Sequence, residues 1–152
     1  MNIKPNEKIV VIGGGFAGLQ LVKLLKNAPV QITLIDKQNY HSFQPLLYQV
    51  ASARIEPASI SFPFRKVFQG YRNFDFHLAE VMEIDDKQKI VKTDVGNVSY
   101  DHLVISTGCT TNFFGNEELR KNALPMKEMS EAIVIRNNIL LDFENYKTAS
   151  ES

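Results

Sequence analysis

At 152 residues the chain has the length of one domain and can bury a sizeable core. Its 17 basic and 17 acidic side chains cancel, so it lacks the basic excess of a nucleic-acid-binding protein, and no nucleic-acid partner is expected. A single cysteine, Cys109, excludes an intrachain disulfide, and no run reaches the roughly 18 apolar residues of a membrane span.

The polar opening MNIKPNEK is unlike a secretory signal and leads into Lys8 to Ile12, KIVVI. That short apolar, β-branched run predicts a strand buried on both faces, as in a parallel sheet. After a cluster of glycines, apolar residues at Ala17, Leu21, Leu24, Leu25 and Ala28 share one helical face, and Asn27 with Pro29 ends the helix. Val30 to Ile35 predicts a second buried strand, closing at Asp36. Strand, helix and strand in this order form a βαβ unit with a right-handed parallel crossover.

Residues 37 to 61 read as irregular but too long for an idle loop, so they carry function or hidden structure. Pro63 to Gln69 predicts a short helix with Pro63 in its first turn. Phe74 to Ala79 predicts a third strand. Glu80 to Ile84, Lys89 to Thr93 and Val98 to Tyr100 predict an antiparallel meander, and Leu103 to Ser106 another buried strand before Thr107-Gly108. From Thr110 to Met126 the chain is polar and turn-rich. Ser130 is the expected N-cap of a last helix reaching about Tyr146, with Ala132, Ile135, Ile139, Phe143 and Tyr146 in one stripe. The KTASES tail is expected to fray.

The glycine cluster carries the chemistry. Gly13-x-Gly15-x-x-Gly18 follows a predicted strand and opens a predicted helix, the context the dinucleotide motif requires. The first glycine permits the tight turn, the second lets the backbone approach a pyrophosphate, and the third lets helix and strand pack closely. The helix start offers N–H groups and partial positive charge to an anion. Asp36, at the end of the second strand, is placed to accept hydrogen bonds from both ribose hydroxyls and to repel a 2′-phosphate. The motif alone does not separate a nicotinamide dinucleotide from FAD.

Three further stretches resemble the FAD-binding domain of the two-dinucleotide-binding-domain flavoproteins, the glutathione-reductase-like group. VMEID (Val81 to Asp85) is similar to the start of that domain's meander crossover. YDHLVISTG (Tyr100 to Gly108) is similar to its second flavin fingerprint, with Ser106 where alanine is usual. NYHSFQPLLYQVASARIEP (Asn39 to Pro57) and LPMKEMSEAIVIRNNIL (Leu124 to Leu140) resemble one branch, the type II NADH dehydrogenases, which are NADH:quinone oxidoreductases. The resemblance implies an α/β Rossmann-like FAD/NAD(P)-binding fold, a parallel sheet with an antiparallel β-meander crossover, incomplete at its C-terminal side.

It also implies FAD as cofactor. Gly13, Gly15 and Gly18, with Phe16 and Ala17 between them, would hold the pyrophosphate, and Asp36 the adenosine ribose. Lys37 would border the adenine-ribose end, and Val81 would meet the adenine through its backbone. Thr107 and Gly108 would line the cofactor near its phosphates, and Gln44, Pro45, Leu46 and Leu47 would run near the flavin ring. The whole enzyme would pass hydride from NADH to FAD and electrons to quinone, in the cytoplasm at the inner face of the cell membrane as a peripheral protein. Residues 1–152 would be the N-terminal portion of the FAD domain, without the NADH domain and the C-terminal FAD segment, inactive alone and prone to self-association.

The residues bear on the competing readings. The stretch His41 to Ile55 holds no Cys-x4-Cys pair for dithiol chemistry, and Cys109 stands alone where sulfide:quinone chemistry needs several cysteines. Cys109 is expected to be a small buried or half-buried residue. His41, His77 and His102 lack metal-ligand spacing. No Tyr-x-x-x-Lys pair supports a small single-domain reductase. Phe43, Phe62, Phe64, Phe68, Phe74 and Phe76 are expected in the core. No catalytic residue and no metal ligand is nominated, because the cofactor carries the chemistry. The alternatives are a non-catalytic nucleotide-binding module or another FAD-dependent pyridine nucleotide oxidoreductase.

Overall fold

The computed structural model describes residues 5–150; the first four residues of the polar opening and the last two of the tail lie outside the described residues. In chain order, β1 (Glu7–Ile12) is followed by α1 (Phe16–Leu24), β2 (Val30–Asp36) and β3 (Tyr40–Ser42). A 3-10 turn, Gln44–Leu46, leads into α2 (Leu47–Ala51), and a second, Pro57–Ile60, into β4 (Ser61–Pro63) and α3 (Phe64–Val67). Next come β5 (Phe74–Leu78), β6 (Val81–Asp85), β7 (Ile90–Thr93), β8 (Gly96–Ser99) and β9 (His102–Ile105). Two helices finish the described chain, α4 (Glu117–Asn122) and α5 (Met129–Ser150). The chain divides into two compact units, one of Met1–His41 with Phe62–Gly108, the other of Ser42–Ser61 with Cys109–Ser152.

The first unit holds a four-stranded sheet in the order β5-β2-β1-β9. All three pairings are parallel, with Ile9 opposite Ile32 and His102, and Ile32 opposite Phe74. Side chains alternate between sheet faces along a strand, so a strand buried on both faces must be apolar throughout. Ile9, Val11, Ile32, Leu34 and Phe76 point to one face and pack with Val22 of α1 and with Phe64 and Phe68. Val10, Ile12 and Ile35 form the other, packed with Ala79 and Val91 and covered by Val81, Val98, Tyr100 and Leu103. The antiparallel meander β6-β7-β8 contributes Val81, Val91 and Val98 to that layer.

Several expectations need correction. The helix after the glycines stops at Leu24, before Asn27, because the Asn73 amide captures the carbonyls of Leu25 and Ala28 at 3.0 and 3.2 Å. Pro63 precedes α3 rather than entering its first turn. The last sheet strand ends at Ile105, one residue before Ser106. Of the phenylalanines, Phe64, Phe68 and Phe76 are buried, whereas Phe43 and Phe62 are exposed.

The second unit packs α2 against the start of α5. Leu47, Val50, Ala51, Ile60, Met129 and Ala132 form its core, with Leu46, Ile55, Ile133 and Ile135 packed against it. The turn-rich reading of residues 110–126 missed α4, whose N-cap Asn116 accepts from the Leu119 amide at 2.9 Å. Ser130 lies inside α5 and does not cap it. Glu131 reaches back instead, and one carboxylate oxygen accepts from the amides of Lys127 and Glu128 at 2.6 and 3.0 Å. The predicted apolar stripe is buried only at its beginning: Ala132 is fully covered, while Ile139, Phe143 and Tyr146 are exposed. Helical geometry continues through the tail to Ser150. Cys109, expected to be covered, is exposed, because the chain has left the sheet at Ile105 and runs on as polar irregular backbone.

Candidate functional site

The turn between β1 and α1 holds three glycines and the first turns of α1 a fourth, with different physical reasons for lacking a side chain. Gly13 has φ +96°, which disfavours any L side chain, and a Cβ there would lie 2.5 Å from the Ser106 carbonyl oxygen. A Cβ on Gly14 would collide with the ring of Phe64, which is fully buried. A Cβ on Gly18 would strike the Gly13 carbonyl, so its absence lets α1 lie against the end of β1.

Gly15 is the exception. Its φ of −65° and ψ of −166° suit any residue, and an added Cβ would meet only the Ser106 carbonyl oxygen, at 3.9 Å. Neither conformation nor internal packing demands glycine there. Gly15 is exposed at the N-cap of α1, and no side chain caps the helix. First-turn amides have no partner four residues back, so those on the exposed side of the turn, at Phe16 and Ala17, face an external acceptor, while Gly18 is buried.

The carbonyl groups of the turn are held from within. The Gly13 amide donates to the Ile35 carbonyl at 2.9 Å, and the Gly15 carbonyl accepts from the Leu19 amide at 2.9 Å. The Ser106 hydroxyl lies 2.8 Å from the Gly13 carbonyl and 3.0 Å from the Ile12 carbonyl, and donates to either. His41 Nδ1 lies 3.0 Å from the Gly14 carbonyl. Asp36 Oδ2 accepts from the Gly14 amide at 2.6 Å, and Oδ1 from the Gln38 amide at 2.8 Å. Each carboxylate oxygen keeps a further lone pair, so Asp36 retains acceptor capacity for two hydroxyls. The site presents donors at the helix start and an acceptor at the end of β2, a polarity suited to a diphosphate next to a sugar.

The first unit therefore brings together most of the residues singled out from the sequence. Gly13, Gly15, Phe16, Ala17 and Gly18 form the turn and helix start, and Asp36 is bonded to that turn. Thr107 and Gly108 follow β9, with the Thr107 Cα against Gly13. Lys37 is exposed, its ammonium 3.8 Å from Glu80, and Val81 opens β6, half-buried. Gln44, Pro45, Leu46 and Leu47 belong to the second unit. There the Gln44 amide donates to the Lys127 carbonyl at 3.2 Å, Leu46 packs at the margin of the core, and Leu47 is buried within it.

Phe64 is in the core as expected, but its contact with the turn, the role of Gly14 and the bond of His41 to the turn were not read from the sequence. A glycine at the x between Gly13 and Gly15 was the signal for Gly14, since the motif leaves that position unspecified. The departure from alanine at Ser106 was visible, but its bonds to two carbonyls are tertiary. Among the described residues, no group of three or more His, Cys, Asp or Glu could hold a metal ion, and no helix is long and apolar enough to cross a membrane.

The chain is similar to known oxidoreductases along most of its length. Type II NADH:quinone oxidoreductase Ndh of Mycobacterium tuberculosis is 38% identical over 149 residues, covering 95% of this chain and 32% of that protein. Type II NADH:quinone oxidoreductase of Staphylococcus aureus is 30% identical over 152 residues, covering 97% and 38%. Among solved structures, sulfide:quinone oxidoreductase from Aquifex aeolicus superposes with TM-score 0.81 at 28% identity, over 91% of this chain and 33% of that one. NDH2 from Plasmodium falciparum superposes with TM-score 0.82 at 24% identity, over 93% and 30%, a likeness of fold. The chain spans about a third of the length of the first two curated relatives it matches. The family model for pyridine nucleotide-disulphide oxidoreductases matches residues 7–138, through the glycine turn, the meander and the start of the last helix, and the chain belongs to that family.

Proposed function

We propose that this chain is the FAD-binding part of an NADH:quinone oxidoreductase. The observation that carries the nucleotide site is Gly15: a glycine that neither backbone angle nor packing requires, exposed at an uncapped helix start. A ligand approaching those amides supplies the missing reason for it. The identity to type II NADH:quinone oxidoreductases, 38% over 149 residues for the mycobacterial protein, supports the choice of reaction. The chain spans about a third of such proteins. That supports reading residues 1–152 as the N-terminal portion of the FAD domain, with the NADH domain and the last FAD segment outside it.

In this reading the exposed amides of the first turn of α1 and the partial positive charge of that helix bind the diphosphate. Asp36 accepts from the adenosine ribose while holding the Gly14 amide. Lys37 borders the adenine, the Val81 backbone meets it, and Thr107 and Gly108 line the phosphates. Gln44, Pro45 and Leu46, with the backbone of Leu47, serve the flavin end. FAD, when bound, would supply the redox chemistry, hydride transfer from NADH and two-electron reduction of quinone, while these residues would hold and orient it. No side chain of this chain is required as acid, base or nucleophile. Because quinones are apolar, the whole enzyme works as a peripheral protein at the cytoplasmic face of the membrane. Exposed Leu141, Phe143 and Tyr146 on α5 support self-association of the isolated chain.

Titration of the purified chain with ADP and with FAD tests this reading, alongside an assay of NADH oxidation with a quinone analogue. ADP is expected to bind and to shift the Phe16 and Ala17 amide signals, FAD to be held weakly, and NADH turnover to be absent. ADP binding that leaves those amides unmoved refutes the site. Robust NADH turnover by this chain alone refutes the partial-domain reading.

A further inference from the structure

Among the described residues, His41 is the one buried polar or charged side chain, only 5% exposed. Its place follows from β3, which returns the chain beside the glycine turn. The ring is fixed from two sides. Nδ1 lies 3.0 Å from the Gly14 carbonyl oxygen, and the Phe16 ring stands edge-on at 5.1 Å between centroids with 80° between planes. A carbonyl oxygen only accepts, so Nδ1 carries the proton and donates.

Burying an imidazole carries a desolvation penalty that an aliphatic side chain of similar size avoids. What the ring gains is the hold on one carbonyl. The peptide joining Gly14 to Gly15 is planar and trans, so its C=O and N–H point in opposite directions. Holding the Gly14 oxygen toward His41 aims the Gly15 N–H the other way. With glycine on both sides, that plane has little steric reason of its own to stay in one orientation. Were it to turn over, a carbonyl oxygen would face an incoming anion in place of a donor.

We infer that His41 is a positioning residue of the nucleotide site: its Nδ1–H holds the Gly14 carbonyl and so keeps the Gly15 amide turned toward the diphosphate. This rests on the dinucleotide reading proposed above. His41 touches no ligand in this arrangement and acts through the main chain of the turn.

The test uses the isotopically labelled 152-residue chain, with ADP as the probe. The ligand-free protein should show His41 protonated at Nδ1, and ADP should shift the amide signals of Gly15, Phe16 and Ala17. His41→Leu removes the donor at similar volume and should weaken ADP binding about tenfold. His41→Asn places an amide N–H where Nδ1 stands and should recover most of that loss, whereas His41→Gln, with its donor further out, should not. A purely structural role for the ring would not separate Asn from Gln in ADP affinity at matched thermal stability. His41 unprotonated at Nδ1, His41→Leu binding ADP like the parent, or Asn and Gln binding alike overturns the positioning role while leaving the dinucleotide reading intact. Parent protein whose turn amides ignore ADP refutes that reading and the role together. Should His41→Leu fail to fold, the Asn–Gln comparison and the ring protonation decide.

Discussion

Gly15→Val separates the needs of the fold from the needs of the ligand. At φ −65° and ψ −166° valine adopts the backbone conformation without strain, and the nearest atom to a new Cβ is the Ser106 carbonyl oxygen at 3.9 Å. Two small effects on stability oppose each other. Valine is a poorer N-cap than glycine, by about 0.5–1 kcal/mol, while fewer unfolded conformations recover about 0.4–1 kcal/mol. The net change is within about 1 kcal/mol, or roughly 2–4 °C in Tm for a chain of this size. The same branched side chain sits at the exposed N-cap, in the path of a ligand approaching the start of α1. Losing one or two charge-assisted hydrogen bonds to phosphate, at about 1.5–3 kcal/mol each, weakens ADP binding about tenfold or more. Gly14→Ala provides the contrast: its Cβ collides with the buried Phe64 ring, so it destabilises by about 1–3 kcal/mol before any ligand is added. Differential scanning calorimetry and isothermal titration with ADP read the two quantities separately. Gly15→Val with unchanged ADP affinity would place the diphosphate elsewhere and refute the reasoning.

Asp36→Asn leaves one of the two amides now bonded to the carboxylate, Gly14 or Gln38, facing an NH2 group. It should lower stability by about 1–3 kcal/mol and weaken ADP binding as well, read by thermal melting and titration. Asn73→Ala frees the Leu25 and Ala28 carbonyls after α1 and should cost about 1–3 kcal/mol, seen as a lower urea midpoint, with ADP affinity of the folded protein unchanged. Glu131→Ala removes the acceptor of the Lys127 and Glu128 amides. It should destabilise the start of α5 by about 0.5–2 kcal/mol, visible as faster amide exchange at Lys127 and Glu128.

The expectations that failed share a cause. Ser130 has the right side chain for a cap, but one residue later Glu131 reaches back and takes the two amides, and no pattern of types distinguishes the two in advance. The stripe of α5 was read correctly as a helix, yet periodicity does not say which part of an apolar face is covered, and only its first turns pack against α2. Phe62 and Phe64 differ by two positions and lie on opposite sides of that question, one exposed and the other at the centre of the core. Cys109 looked like a small core residue until the end of β9 at Ile105 placed it on irregular backbone beyond the sheet.

From its residues alone the chain declared its parallel strands, its first crossover and the meander, because backbone periodicity and burial on two faces dictate continuous apolar runs at KIVVI and VQITLI. It also declared Gly13, Gly15 and Gly18, because a motif one turn long has its geometry written in nearby positions, and Asp36, because it closes the second strand of the same βαβ unit. The tertiary structure alone decided what holds that turn in place: Phe64 under Gly14, Ser106 on the Gly13 carbonyl and His41 on the Gly14 carbonyl. These partners arrive from 27 to 93 residues away along the chain, and a hydrogen bond depends on distance in space, which sequence spacing does not record.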